Sequence, residues 1–259
     1  MHVSSLCIYP VKSMAGIALS EISISTMGPQ WDRRWMVVDN NGKFLTQRQL
    51  PLMCLLSCRI DNGQLTLSFE SQSITIDQSS GPQSSVIIWE DQVEAEDCGD
   101  EVAVWLSEIL SYSCRLVFMT EQTQRLVDTD YARQQETVSF ADGFPLLLIS
   151  EASLQDFNQH LDSPVEMNRF RPNIVVAGCD AFAEDNWRSI RIGELEFSVV
   201  KPCSRCVIPS LDPVSGIKQV EVSKALAAHR RHDGAVYFGQ NLIHRGLGKV
   251  AVGDSVVVI

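Results

Sequence analysis

Asparagine–glycine turn signals cut the first hundred residues into pieces too short for helices. Asn40-Asn41-Gly42 and Asp61-Asn62-Gly63 put Asn and Gly where a tight hairpin needs positive φ. Between these turns, short apolar runs predict strands at 6–9, 19–25, 34–38, 43–46, 53–60, 65–70, 73–76 and 86–89. A half so punctuated folds as antiparallel β. Val102, Leu106, Ile109 and Leu110 recur near helical spacing and predict a helix over 100–110. Beyond it the pattern is mixed, with a helix over 151–161 capped by Ser150, strands at 173–177, 189–192, 195–201 and 255–259, and a helix over 223–231. Strands and helices do not alternate regularly, which disfavours a doubly wound parallel sheet. The expectation is an α+β, mainly β architecture of barrel type. Residues 81–85 and the polar stretch 120–139 read as loops, the second long enough to cover a site. The domain change is placed near 118, giving units 1–118 and 119–259.

With 259 residues and 45% hydrophobic positions, the chain can bury a core without disulfides. A formal charge of −11 opposes nucleic-acid binding, which needs a basic stripe, but leaves room for a small anion held by a few arginines. The opening residues lack a basic and apolar leader, so a cytoplasmic location is the expectation. The apolar run Phe144-Pro145-Leu146-Leu147-Leu148-Ile149 stops at six residues, far short of the ~20 that cross a bilayer. The eight cysteines sit among apolar neighbours and read mostly as reduced, buried hydrophobes.

Cys203-Ser204-Arg205-Cys206 is the sharpest local feature. A zinc site could add His229 and His232, although H-x2-H is shorter than the usual spacing. A redox couple needs a helix after the motif, and Val207-Ile208-Pro209 looks extended. Two unrelated loop cysteines are the plain alternative. Arg205 between the thiols points further, because a guanidinium there suits an anionic cofactor. Lys12-Ser13, Arg33-Arg34 and Arg169-Phe170-Arg171-Pro172-Asn173 also lie in turns, where forked donors and backbone N–H groups can grip phosphate. Each alone is ordinarily a solvated charge. Asp142 is an ordinary loop carboxylate or a polar site group. Nucleotide-binding glycine loops, HExxH and GxSxG are absent.

Several segments in order carry a wider resemblance: Tyr9-Pro10-Val11-Lys12-Ser13, the run from Trp31 through Asp39, Thr46-Gln47-Arg48-Gln49, Phe140-Ala141-Asp142-Gly143, Arg169 through Ile174, Cys203-Ser204-Arg205-Cys206, Asp212-Pro213 and Phe238-Gly239-Gln240-Asn241. Together they resemble the MOSC family, in the amidoxime-reducing branch that carries a MOSC N-terminal β-barrel domain. The resemblance implies a molybdenum cofactor (Mo-molybdopterin) at the interface of the two units, with Cys206 as the protein thiolate on the metal. Lys12, Ser13, Arg33, Arg171, Asn173, Ser204 and Arg205 would hold the pterin and its phosphate, with backbone groups around Asp142, Gly143 and Phe144. Cys203 would stand beside the ligand without being one. The implied reaction is two-electron reduction of amidoximes, hydroxylamines and N-hydroxylated bases, with Asp142 a candidate proton donor. The chain stops at Ile259 without a C-x4-C-x2-C ferredoxin-like run, so electrons are expected from a flavoprotein or a haem or iron–sulfur carrier. The alternative is a non-catalytic carrier of molybdenum cofactor or sulfur.

Overall fold

Asn62 and Gly63 both take positive φ, 48° and 83°, and join strands Ser57–Asp61 and Gln64–Phe69 in the two-residue turn their sequence requires. Gln72–Ile76 completes a three-stranded sheet. A computed structural model describes residues 1–77, 81–132 and 135–259. A four-stranded antiparallel sheet orders Trp35–Val38, Arg115–Phe118, Asp91–Asp97 and Gln83–Ile88. Its inner face and helix α1 (Asp100–Leu110) enclose the apolar side chains of this half.

The largest sheet runs Val256–Val258, Ser189–Ile192, Leu195–Ser204, Ala235–His244, Leu146–Ser150, Ile174–Ala177, His2–Ile8 and Ile17–Leu19. Every pairing on this path is antiparallel except that of Leu146–Ser150 with Ile174–Ala177. Helices α2 (Glu151–Asn158) and α3 (Val220–Arg230) cover part of it around Phe157, Phe170 and Phe238. The first strand of the chain thus pairs with a strand that begins at Ile174. The fold is α+β and mainly β. Among the described residues no helix is long and apolar enough to cross a membrane.

Helix α1 spans the expected residues, and α2 begins on Ser150, whose side chain accepts from the Ser153 amide. Four departures have physical causes. Pro51 opens a short 3-10 helix, Pro51–Leu55, so the strand expected over 53–60 starts only at Ser57. Residues 43–46 make isolated bridges only, because Thr46 and Gln49 bond each other and turn the chain away. Asp91–Asp97 escapes the hydrophobic pattern because acidic residues alternate with Val93 and Ala95. Leu146–Ser150 is buried on both faces and carries no alternation to read. Its neighbour Ala235–His244 passes so close that a Cβ on Gly239 would lie 2.8 Å from the Leu148 carbonyl oxygen.

The expected loop 120–139 is a built segment, apart from residues 133 and 134, which lie outside the described residues. The Val127 amide donates to Glu136 and the Val138 amide to Arg125. The Arg125 guanidinium donates to the carbonyls of Ser139 and Ala141 and to Asp91.

Asp97 ties the four-stranded sheet to α1. Its buried carboxylate accepts from Arg115 Nε at 2.5 Å and Nη2 at 2.7 Å, and from the Gly99 amide at 2.8 Å. These bonds, Arg115 first, hold the carboxyl below the usual aspartate range against the opposing effect of burial. Asp97→Asn is expected to cost about 1–2 kcal/mol in denaturant unfolding at pH 7. A depressed carboxyl stabilises the fold above its unfolded pKa of about 4, and this contribution fades as pH falls toward the folded value. The gap between wild type and Asp97→Asn should therefore narrow below about pH 4.

Candidate functional site

A polar cleft opens where the first residues of the chain meet the ends of the large sheet. Every site residue expected from the sequence lines it: Lys12, Ser13, Arg33, Asp142, Gly143, Phe144, Arg171, Asn173, Ser204, Arg205 and Cys206. Three of these hold left-handed backbone without being glycine: Ser13 at φ 72°, Arg33 at 48° and Arg171 at 58°. Such conformations cost of order 1 kcal/mol or more each and persist where the surroundings hold them in place.

The wall is built from a buried network. Asp32, 2% exposed, accepts from the Tyr9 amide at 2.8 Å, from Arg33 Nη1 at 2.8 and 2.6 Å, and from Asn173 Nδ2 at 3.0 Å. Asn173 also donates to the Cys7 carbonyl and accepts from the Leu147 amide. The guanidiniums of Arg33 and Arg171 lie 4.4 and 4.1 Å from the centroid of the Tyr9 ring. Arg171 Nη1 donates to the Met14 carbonyl, while Nη2 is buried without a partner among the described residues. Burial, and then the charge of Arg33, lowers the Arg171 pKa.

Lys12 is buried, and its ammonium donates to the Phe140 carbonyl at 2.8 Å and to Asp142 Oδ1 at 2.6 Å. Three N–H groups on Nζ leave one for a ligand. Burial lowers the Lys12 pKa and Asp142 offsets part of that effect. Asp142 keeps 73% of its side chain exposed. Enclosure in the cleft opposes its ionisation, but Lys12, Arg33 and Arg48 outweigh it and hold the carboxyl far below the usual range. Asp142 thus stands as a carboxylate paired to Lys12.

The CxxC segment leaves the end of strand Leu195–Ser204. Arg205 reaches back from it, donating from Nη2 to the Phe170 carbonyl at 2.7 Å and from Nη1 to Cys203 Sγ at 3.1 Å. Its Nε is buried without a partner. All eight cysteines are free thiols, and Cys206 alone is exposed. Burial raises the thiols of Cys7, Cys54, Cys58, Cys98, Cys114 and Cys179, those of Cys58 and Cys98 to about 12. Cys206 is thus the thiol offered to the cleft, while Cys203 is half-buried behind Arg205. The zinc set does not assemble: His229 stacks on His160 at 3.5 Å, His232 on Tyr237 at 4.4 Å, and no three potential ligands cluster among the described residues.

Five cations, Lys12, Arg33, Arg48, Arg171 and Arg205, face the cleft against the single carboxylate of Asp142. Unpaired buried donors on Arg171, Arg205 and Gln47 surround it, each costing about 1–3 kcal/mol unless a ligand accepts from it. A chain of net charge −11 has therefore gathered cations and open donors around one accessible thiol. These features fit a polyanionic group that also binds sulfur. Thr46, Gln47, Arg48 and Asn241 also line it. They lie within motifs noticed in the sequence, but nothing there marked their side chains as facing a ligand.

The chain belongs to the MOSC family: the MOSC N-terminal beta barrel domain matches residues 1–113 and the MOSC domain residues 135–257. Its curated relatives include mitochondrial amidoxime-reducing component 1 of Homo sapiens, 34% identical over 99% of this chain and 82% of that protein. Mitochondrial amidoxime reducing component 2 of Rattus norvegicus is 36% identical over 98% and 82%. Molybdenum cofactor sulfurase of Oryza sativa subsp. japonica is 32% identical over 92% of this chain but only 32% of that protein.

The burial pattern predicts the order of thiol reaction. Under native conditions a small alkylating reagent should modify Cys206 first, read by peptide mass mapping. Cys206→Ala should remove that fast phase, whereas early modification of Cys58 or Cys98 would contradict the arrangement.

Proposed function

We propose that this protein is a molybdenum-cofactor-dependent reductase of N-hydroxylated compounds, with Cys206 as the protein ligand to the metal. The observation that carries the reading is the exposed Cys206 thiol at a cleft whose cations and unpaired donors match a phosphate-bearing pterin. Family membership and the names of the human and rat relatives support it. The two units, 1–118 and 119–259, would meet at this cleft, whose lining comes from both.

Lys12, Arg33, Arg171 and Arg205 would hold the phosphate and pterin, Asn173 and Ser204 would add polar contacts, and Cys206 would anchor the metal. When bound, the cofactor supplies two-electron chemistry at a metal that takes oxygen from the substrate. The overall change is an amidoxime plus two electrons and two protons giving an amidine plus water. The chain's own contribution is electrostatic and geometric. The Lys12–Asp142 pair keeps an ammonium at the cleft wall, where its remaining N–H can donate to an anionic ligand. Exposed Asp142 connects that pair to solvent, the source of the two protons. Arg205, fixed by Phe170, carries the backbone that presents Cys206. Electrons would arrive from a separate flavoprotein or a haem or iron–sulfur carrier.

A carrier of cofactor or sulfur is the second reading, favoured by the similarity to molybdenum cofactor sulfurase. Elemental analysis and turnover separate the two. From a host competent in cofactor synthesis, wild type and Cys203→Ala should hold close to one molybdenum per chain, and Cys206→Ala should lose it. Wild type should reduce benzamidoxime with an artificial electron donor and Cys206→Ala should fall to background. Molybdenum without turnover would favour the carrier, and wild type lacking molybdenum would overturn the reductase and the cofactor carrier, leaving only the carrier of sulfur.

A tighter test addresses the cleft wall. Lys12→Met should lower retained molybdenum several-fold and cost about 1–3 kcal/mol of stability, since it leaves the buried Phe140 carbonyl without its donor; a retained molybdenum content would contradict the role given to Lys12.

A further inference from the structure

Next to the cleft, and sharing Asp142, Gly143 and Phe144 with it, lies a second cavity. It holds about 790 Å³, against about 120 Å³ of open space in the cleft, and falls in the range of small-molecule sites. Among the described residues its lining charges nearly balance, three cations against four carboxylates, in contrast to the cationic cleft. Aromatic side chains converge there from distant segments. Phe44 and Trp89 come from one side, with ring centroids 4.9 Å apart. Phe144 comes from the other, backed edge-on by Tyr131 at 5.5 Å, with Lys201 Nζ 4.7 Å from the Tyr131 ring.

Trp89 is the unusual member. Asp91 pairs with Ile88, so Trp89 and Glu90 form a two-residue hairpin turn. The first position of that turn has φ 55°, where glycine or asparagine is ordinarily found and a bulky side chain is an outlier. The sequence had extended the strand through this residue. Nothing in the hairpin requires an indole at such a position, and the side chain remains 41% exposed. It is not idle, however: the Arg48 guanidinium lies 4.9 Å and the Lys12 ammonium 5.9 Å from its ring. Both cations line the cleft as well. The indole is therefore coupled to the cleft wall and still presents surface to the cavity.

We infer that this vestibule is a stacking subsite for the planar aromatic part of an N-hydroxylated substrate, with Trp89 as the residue that sets the preference for aromatic over aliphatic compounds. The inference rests on the N-reductive reading above. A near-neutral, aromatic-walled cavity recognises faces rather than charges, and an amidoxime on an aromatic ring is a neutral planar group of fitting size. Leu126 and Asp128 of the segment once expected as a loop close the outer side of the same cavity.

Benzamidoxime and acetamidoxime share the reacting group and differ only in the ring. Both turnover with an artificial donor and calorimetric binding are to be measured on wild type, Trp89→Ala, Trp89→Phe and Trp89→Gly. The ratio of kcat/KM for benzamidoxime to that for acetamidoxime should fall about ten-fold in Trp89→Ala and Trp89→Gly, chiefly through KM, and be largely kept in Trp89→Phe. Acetamidoxime should lose less than benzamidoxime, any loss common to both measuring the contact of the indole with Arg48 and Lys12. Trp89→Gly relieves the turn and should melt no lower than wild type, which separates loss of stacking from loss of fold. Equal losses on both compounds, or an unchanged ratio, would overturn the subsite while leaving the reductase reading intact. If no variant turns over either compound, the reductase reading fails, and the calorimetric preference for benzamidoxime, present or absent in wild type and lost or kept in Trp89→Ala, still decides the subsite.

Discussion

The carboxylate of Asp32 is the point on which the site hangs. It is buried and takes hydrogen bonds from the Tyr9 backbone, the Arg33 guanidinium and the Asn173 amide. These three groups come from the residue that follows the first strand, the turn just before Trp35–Val38 and the segment ahead of Ile174–Ala177. A buried charge missing one of its partners costs several kcal/mol, so the three are held in one arrangement or the local structure gives way. Arg33 and Arg171 then stack on Tyr9, and the polar cleft follows from their fixed positions. Cations that would repel each other in water are kept side by side by a carboxylate behind them and an aromatic ring between them.

The same arrangement sets free energy aside for a ligand. Left-handed backbone at Ser13, Arg33 and Arg171 lies beside donors on Arg171, Arg205 and Gln47 that have no partner among the described residues, so the cleft wall carries strain and open hydrogen-bonding capacity together. Binding a polyanion relieves the second part of this cost. A ligand that recovers even two such donors gains about 2–6 kcal/mol without any change of fold.

Legibility in the sequence followed the range of the interactions. Turns governed by one or two residues, such as Asn62-Gly63, and the helix over 100–110 were readable because their causes are local. The central strand Leu146–Ser150 was not, because burial on both faces erases alternation. All the site residues that the family motifs indicated do meet in one cleft, yet no spacing in the chain brings Lys12 to Asp142 or Arg33 to Asn173. Resemblance, rather than periodicity, carried that part. The ionisation of Asp142 was beyond either route, since it depends on a lysine 130 positions away. Trp89 was misread as strand for the opposite reason: its residue type predicts extended backbone, and the turn overrides it.

The strand His2–Ile8 sits inside a sheet whose adjacent strand, Ile174–Ala177, lies about 170 residues later in the chain. On a ribosome adding 5–20 residues each second, this strand waits on the order of ten to thirty seconds for that partner. Throughout that interval Val3, Leu6 and Ile8, all buried in the finished protein, have only the short strand Ile17–Leu19 to pair with. The large sheet cannot close during early synthesis, and neither can the cleft that depends on it. The order in which the strands of this sheet can meet is thus set by the connectivity and not by the sequence of any one strand.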